Sequence, residues 1–241
     1  MPRIVACLLF PGFELLDVAA PLELLGAVGQ ETLQFRYVTT TGGENVHSSL
    51  MEASGSGQGG PRLQADFEMA PDGAIRPLGG GRNEDAIRPN VLFVPGGVGT
   101  RRLVSGDDEQ GVLSWIADCV QHCEIVFSVC TGSWVLARAG VLDGLEATSN
   151  KAVLRLGQPQ RDRPQVMWQA SARWVVATAQ RDGREQVVVT SSGVSAGGDA
   201  ALAVVAMVAG QGRAREIAAA AEWLWNEDPN EDPFALDQLI D

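Results

Sequence analysis

The chain has 241 residues, with 18 Lys plus Arg against 30 Asp plus Glu and a net charge of −12, which excludes a general basic face for nucleic acid. Its 45% hydrophobic and 20% charged content excludes disorder of the whole chain, and the length suits one α/β domain or at most two small ones. The apolar stretches fall far short of the roughly 20 residues that cross a bilayer, so no membrane span is expected.

Residues 4–10 form a continuous apolar run closed by Pro11-Gly12. That is the pattern of a strand buried on both faces of a parallel sheet rather than of a signal peptide with a cleavage site. A helix is predicted over 17–28: Val18, Leu22, Leu25 and Val28 lie near helical spacing, Pro21 is tolerable in a first turn, and Gly29 is a stop. Residues 33–40 read as the second strand. Between 42 and 90 the pattern weakens. The Ser/Gly-rich piece 54–61 and Gly79-Gly80-Gly81 are low-complexity insertions, expected to be surface loops that pack no core.

Order resumes with a strand at 91–94, the turn Pro95-Gly96-Gly97-Val98-Gly99, a helix from about 107 to 122 and a strand at 124–129. Cys130 follows, and a helix starts at once and runs to about Ala139. A short strand near 145–148 and a helix from Lys151 come next. Residues 174–180 and 186–190, joined across Asp182-Gly183, form an antiparallel hairpin. A helix over about 196–208, almost wholly Ala and Val, must be buried; an amphipathic one over 214–225 leads into an acidic tail from about 226. Alternating strands and helices predict an α/β class fold over 1–241, a single domain with a doubly wound, mostly parallel sheet and helices on both faces. Such a sheet gathers reactive groups at the carboxyl ends of its strands.

Cys130 stands where a buried strand meets a helix N-terminus, the position of a nucleophile elbow. First-turn N–H groups there favour a thiolate, whereas Cys7 sits mid-strand and Cys119 and Cys123 lie one turn apart on a helix, where packing is the ordinary role. A lowered thiol pKa is not a large source of rate. A fall from about 8.5 to about 5.5 enriches the thiolate roughly 30-fold at neutral pH, and the lost basicity costs roughly 20-fold in nucleophilicity. Donors aimed at developing charge and a well-placed proton must do more.

The usual His base is missing: His47 follows a glycine turn and His122 lies at the start of the strand leading to Cys130, the wrong end of the sheet. Asp17 is the better candidate, because it follows the first strand on the rim that carries Cys130; its alternative role is a helix cap. Burial beside a thiolate should raise its pKa and make it an acid. The N–H groups of Gly96 and Gly97, with that of Thr131, are candidates for an oxyanion and substrate-binding hole. Gly97-Val98-Gly99 begins a dinucleotide fingerprint, but Arg102 stands at its third glycine, so no nicotinamide cofactor is expected. Cys119, His122 and Cys123 lack a fourth ligand, so no metal is expected either. Few cysteines, no Asn-x-Ser/Thr site and the acidic chain point to reduced thiols in the cytoplasm.

These residues resemble the DJ-1/PfpI superfamily, and within it the branch that includes isocyanide hydratases. The likeness rests on Phe10-Pro11-Gly12-Phe13-Glu14-Leu15-Leu16-Asp17 with Pro21, on Val94-Pro95-Gly96-Gly97, and on Val129-Cys130-Thr131-Gly132. It extends through Thr190-Ser191-Ser192-Gly193-Val194-Ser195-Ala196-Gly197 to Trp225-Asn226-Glu227-Asp228-Pro229. The resemblance implies a flavodoxin-like sandwich, a homodimer, Cys130 as nucleophile, Asp17 as the acid beside it and Thr131 as a donor. It implies a cofactor-free hydratase that takes a small-molecule isocyanide to an N-substituted formamide through a thioimidate on Cys130. Two alternatives stand beside it: a glyoxalase-like conversion of 2-oxoaldehydes, and a redox or ligand sensor built on Cys130. After Ala147-Thr148 many relatives carry a His, whereas this chain has Ser149-Asn150-Lys151, which disfavours a His-assisted mechanism. Regulators of the superfamily carry a helix-turn-helix segment after the sandwich; only an acidic tail follows Trp225, so no nucleic-acid partner is expected.

Overall fold

The apolar runs become the centre of the sheet. In the computed structural model, which describes residues 1–49, 59–79, 82, 85–106, 108 and 110–236, the chain opens with β1 (Arg3–Leu9), α1 (Leu15–Gly26) and β2 (Leu33–Thr39). Four short strands follow: β3 (Asn45–His47), β4 (Arg62–Gln64), β5 (Phe67–Met69) and β6 (Ile75–Pro77). Next come β7 (Val91–Val94), α2 (Thr100–Val104), α3 (Val112–Cys119), β8 (Ile125–Ser128) and α4 (Gly132–Arg138). The remainder comprises β9 (Glu146–Ala147), α5 (Lys151–Arg155), α6 (Gln158–Asp162) and β10 (Met167–Trp168). The hairpin β11 (Trp174–Arg181) and β12 (Arg184–Ser191) leads to α7 (Ala196–Ala209) and α8 (Gln211–Ala220).

One eight-stranded sheet has the order β11-β12-β8-β7-β1-β2-β5-β6. The pairings from β12 through β8, β7, β1 and β2 to β5 are parallel, and only the outer pairs β11–β12 and β5–β6 are antiparallel. The order places the ends of β1, β7 and β8 side by side. Residues 5–9 of β1 and all of β7 and β8 are buried, as strands covered on both faces require. Phe93 and Phe127, on adjacent strands, stack at 4.9 Å, and each buried ring of this size contributes about 1.5–3 kcal/mol. Helices gather in two sets, α1 with α7 and α8, and α2 and α3 with α4. Gly197 lets α7 approach closely, since a Cβ there would lie 2.8 Å from the Val129 side chain. Among the described residues, no helix is long and apolar enough to cross a membrane.

Several boundaries differ from those the sequence predicts, each for a local reason. The helix expected from about 107 to 122 is the shorter α3, because Gly111 adopts φ of 66° and Asp108 accepts from Leu113 and Ser114 N–H at 3.0 and 2.8 Å at its start, and α2 over 100–104 is a helix the sequence did not predict. The segment 42–90, where the sequence pattern weakens, contributes strands and core: Val46, Ala65 and Ile75 are buried. The expected loops at 54–58, Gly80 and Gly81 lie outside the described residues. The last helix ends at Ala220, where Glu222 turns to φ 50° and the Trp223 and Trp225 indoles donate to Asp199 instead.

Candidate active site

The site is built at the adjoining ends of β1, β7 and β8. After β8 the chain turns sharply at Cys130, which holds φ of 57°, a left-handed conformation that costs a non-glycine residue on the order of 1–3 kcal/mol. Its surroundings over-determine that turn. The Cys130 N–H donates to Ser192 carbonyl at 2.9 Å, and its own carbonyl accepts from Ser133 and Ser149 hydroxyls at 3.0 and 3.1 Å.

Asp17, in the first turn of α1, is fully buried and couples to the Cys130 sulfur. Its Oδ2 accepts the Gly96 N–H at 2.9 Å, and its buried Oδ1 has no nitrogen or oxygen partner. Burial holds this carboxyl well above the usual carboxylate range; the charge of Glu14 adds to that, and the Gly96 N–H opposes it. The Cys130 thiol is also held up, first by burial and then by a charge on Asp17. The Thr131 N–H, the Asn150 side chain and the Thr131 hydroxyl pull it down. Burial outweighs the helix-start donors that the sequence pointed to, so the thiol is held up rather than lowered. The two groups form a proton-holding pair.

The structure brings all five expected residues, Asp17, Gly96, Gly97, Cys130 and Thr131, to one spot but corrects the work of two. The Gly96 N–H is committed to Asp17, and the Gly97 N–H donates to Thr131 Oγ1 at 3.1 Å, so neither points at an incoming oxyanion. They fix the acid and the threonine instead. Glycine is required for this close approach: a Cβ on Gly96 would lie 2.6 Å from Thr131 N and 2.8 Å from Asp17 Oδ2. Thr100 completes the support, its hydroxyl donating to Gly97 carbonyl at 2.7 Å and lying 3.0 Å from Thr131 Oγ1.

Cys130 opens into a cavity of about 210 Å³, room for a small organic molecule. Val98, Trp134, Ala152, Val153 and Val194 make much of its wall, with Glu14, Ser49, Arg101 and Asn150 as polar groups. Asp17 does not line it and is fully buried where it meets Cys130. Neither His47 nor His122 lines it, and His122 lies against Arg88 before β7.

Asn150, Glu14 and Ser49 were not picked out by the sequence as members of the site. Asn150 Oδ1 accepts the Ala152 N–H at 2.9 Å at the start of α5, which leaves its NH₂ as the donor to Cys130. The sequence marked it only as lying in the Ser149-Asn150-Lys151 stretch where many relatives carry a His. Ser49 arrives because the segment after β3 bridges to Phe13, and its hydroxyl donates to Glu14 Oε2 at 3.3 Å. Cys119 and Cys123 sulfurs lie 3.9 Å apart, remote from this site and buried.

Comparison with known proteins bears on the family and the fold. The model of the DJ-1/PfpI family matches residues 3–207. An isonitrile hydratase of Pseudomonas putida is 44% identical over 69 residues, which is 29% of this chain and 29% of that protein. The match therefore spans less than a third of the curated relative's length. Among solved structures, a ThiJ/PfpI family protein from Pseudomonas syringae superposes with a TM-score of 0.66 at 25% identity, covering 96% of this chain and 78% of that one. DJ-1beta of Drosophila melanogaster gives 0.65 at 19% identity over 93% of this chain and all of the other, a likeness of fold.

Proposed function

The chain belongs to the DJ-1/PfpI family, and on that premise we propose that it is a cofactor-free, Cys130-dependent hydratase of small electrophiles, with isocyanides as the substrate class. The observation that carries this reading is the pairing of a cysteine that lines a small, largely apolar cavity with a fully buried, proton-holding Asp17 that meets it from outside the cavity wall. An isocyanide needs a nucleophile and a proton on the same carbon, and the pair offers both.

In this reaction Cys130 sulfur bonds to the terminal carbon while the proton held by the Asp17–Cys130 pair passes to that carbon, giving the thioimidate Cys–S–CH=N–R. Well-placed proton transfer of this kind contributes about 100- to 10,000-fold. The Thr131 N–H and the Asn150 amide steady the charge on sulfur as the bond forms and breaks. The apolar wall with Trp134 receives the substituent R. Water from the cavity then adds to the imine carbon, and loss of sulfur releases the N-substituted formamide. The glyoxalase-like alternative has to move a proton between two carbons, and no imidazole lines the cavity among the described residues, which favours hydration.

Formamide release from an aryl isocyanide, followed by absorbance, tests the proposal with the wild type, Cys130→Ser and Asp17→Asn side by side. Turnover by the wild type and its loss in Cys130→Ser are expected. A folded wild type without turnover overturns the isocyanide assignment.

A further inference from the structure

The hydrolytic half of this reaction needs a base that can touch water in the cavity, and Asp17 is badly placed for it. Its side chain is fully buried and contributes nothing to the cavity wall. It can trade a proton with Cys130, but it does not border the space that would hold the water. Among the described residues lining the cavity, Glu14 is the acidic one. We infer that Glu14 is a second catalytic carboxylate, the base that activates the hydrolytic water.

The inference rests on the hydratase reading and divides its labour between two carboxyls. Glu14 stands just ahead of α1 and lines the open space, whereas Asp17, in the first turn of α1, is fully buried and does not line it. Two contacts fix the Glu14 end of the site. Its N–H donates to Gly96 carbonyl at 2.8 Å, on the turn whose N–H holds Asp17, and its Oε2 accepts from Ser49 at 3.3 Å. Arg101 is the cationic residue on the same wall, and no ion pair joins it to Glu14 among the described residues. Carboxyl groups in contrasting surroundings, one dry and one open to the substrate space, are the arrangement that separates an acid from a base within one site.

The step balances as follows. Water oxygen bonds to the imine carbon of Cys–S–CH=N–R, the C=N π pair moves to nitrogen, and Glu14 takes a water proton and delivers it to that nitrogen. The resulting C–S bond breaks with its electron pair returning to sulfur, the hydroxyl proton goes to the sulfur and Asp17 pair, and R–NH–CHO departs. No other reactant is consumed.

Glu14→Gln isolates the role, because the amide keeps an oxygen for Ser49 and a similar shape but cannot accept the proton. Rapid-quench mass spectrometry with an aryl isocyanide should show the Cys130 adduct forming at the wild-type rate and then persisting, while formamide turnover falls about 100-fold or more. A structural defect would instead slow both phases together. Turnover of Glu14→Gln at the wild-type rate overturns the assignment to Glu14 and leaves the hydratase reading intact, as does failure of the variant to form an adduct that the wild type forms. A wild type that forms no Cys130 adduct overturns the hydratase reading and this inference with it. Glu14→Asp, which restores a carboxylate, should recover part of the hydrolytic rate.

Discussion

Asp17→Asn should make the protein more stable while removing its activity, and the size of the gain should depend on pH in a defined way. Asp17 is fully buried, and burial holds its carboxyl well above the usual range, whereas the unfolded chain returns it to about 3.9. The folded protein thus binds this proton more tightly than the unfolded one. Below about pH 3.9 both states carry it and the group adds no pH dependence. Above that, the unfolded chain releases the proton and the folded one retains it, so wild-type stability falls by about 1.4 kcal/mol per pH unit until Asp17 ionises in the fold. The asparagine carbonyl can still accept the Gly96 N–H, a 2.9 Å bond in the wild type, and it carries no ionisable proton. Urea unfolding of both proteins at pH 5, 6 and 7 should show the advantage of Asp17→Asn growing with pH and then levelling, while formamide formation drops about 100- to 10,000-fold. A stability difference that is flat with pH, or a variant that loses ground as pH rises, would refute the buried-acid reasoning.

Other perturbations act on separate supports. Asn150→Asp keeps an oxygen for the Ala152 N–H, so α5 stays capped, but it places a negative charge where an N–H met Cys130 sulfur; kcat/KM should fall about 100-fold with the melting temperature held. Gly96→Ala inserts a Cβ 2.6 Å from Thr131 N and 2.8 Å from Asp17 Oδ2, and displacing those groups by about 1 Å should cost about 100-fold in kcat, read beside an unchanged far-ultraviolet spectrum. Asp232→Asn removes the carboxylate that accepts from Ser192 at 2.6 Å and faces Lys151 and Arg173 at 3.4 and 3.7 Å. Breaking so buried a set should cost about 3–5 kcal/mol by urea unfolding.

The parts of the site that were legible in the sequence are those fixed by punctuation along the chain. Cys130 and Asp17 each follow an apolar strand and open a helix, and a parallel sheet places such junctions on one rim; the order β8-β7-β1 then makes them neighbours. The duties of Gly96 and Gly97 were not legible, because the direction of an N–H depends on what packs opposite it, here Asp17 and Thr131. Ser49 was hidden for a different reason: it is delivered by β3, a strand of three residues within a stretch whose composition reads as loop. The late start of α3 turns on Gly111, whose positive φ breaks the helical pattern expected from about 107.

The central claim is that Cys130 carries the substrate covalently, and rapid-quench mapping of the labelled peptide during turnover of an aryl isocyanide tests it most directly. An adduct of the isocyanide's mass on the Cys130 peptide, with formamide release abolished in Cys130→Ser, is the predicted result. Formamide production by Cys130→Ser at the wild-type rate, with no label on Cys130 in the wild type, would contradict it.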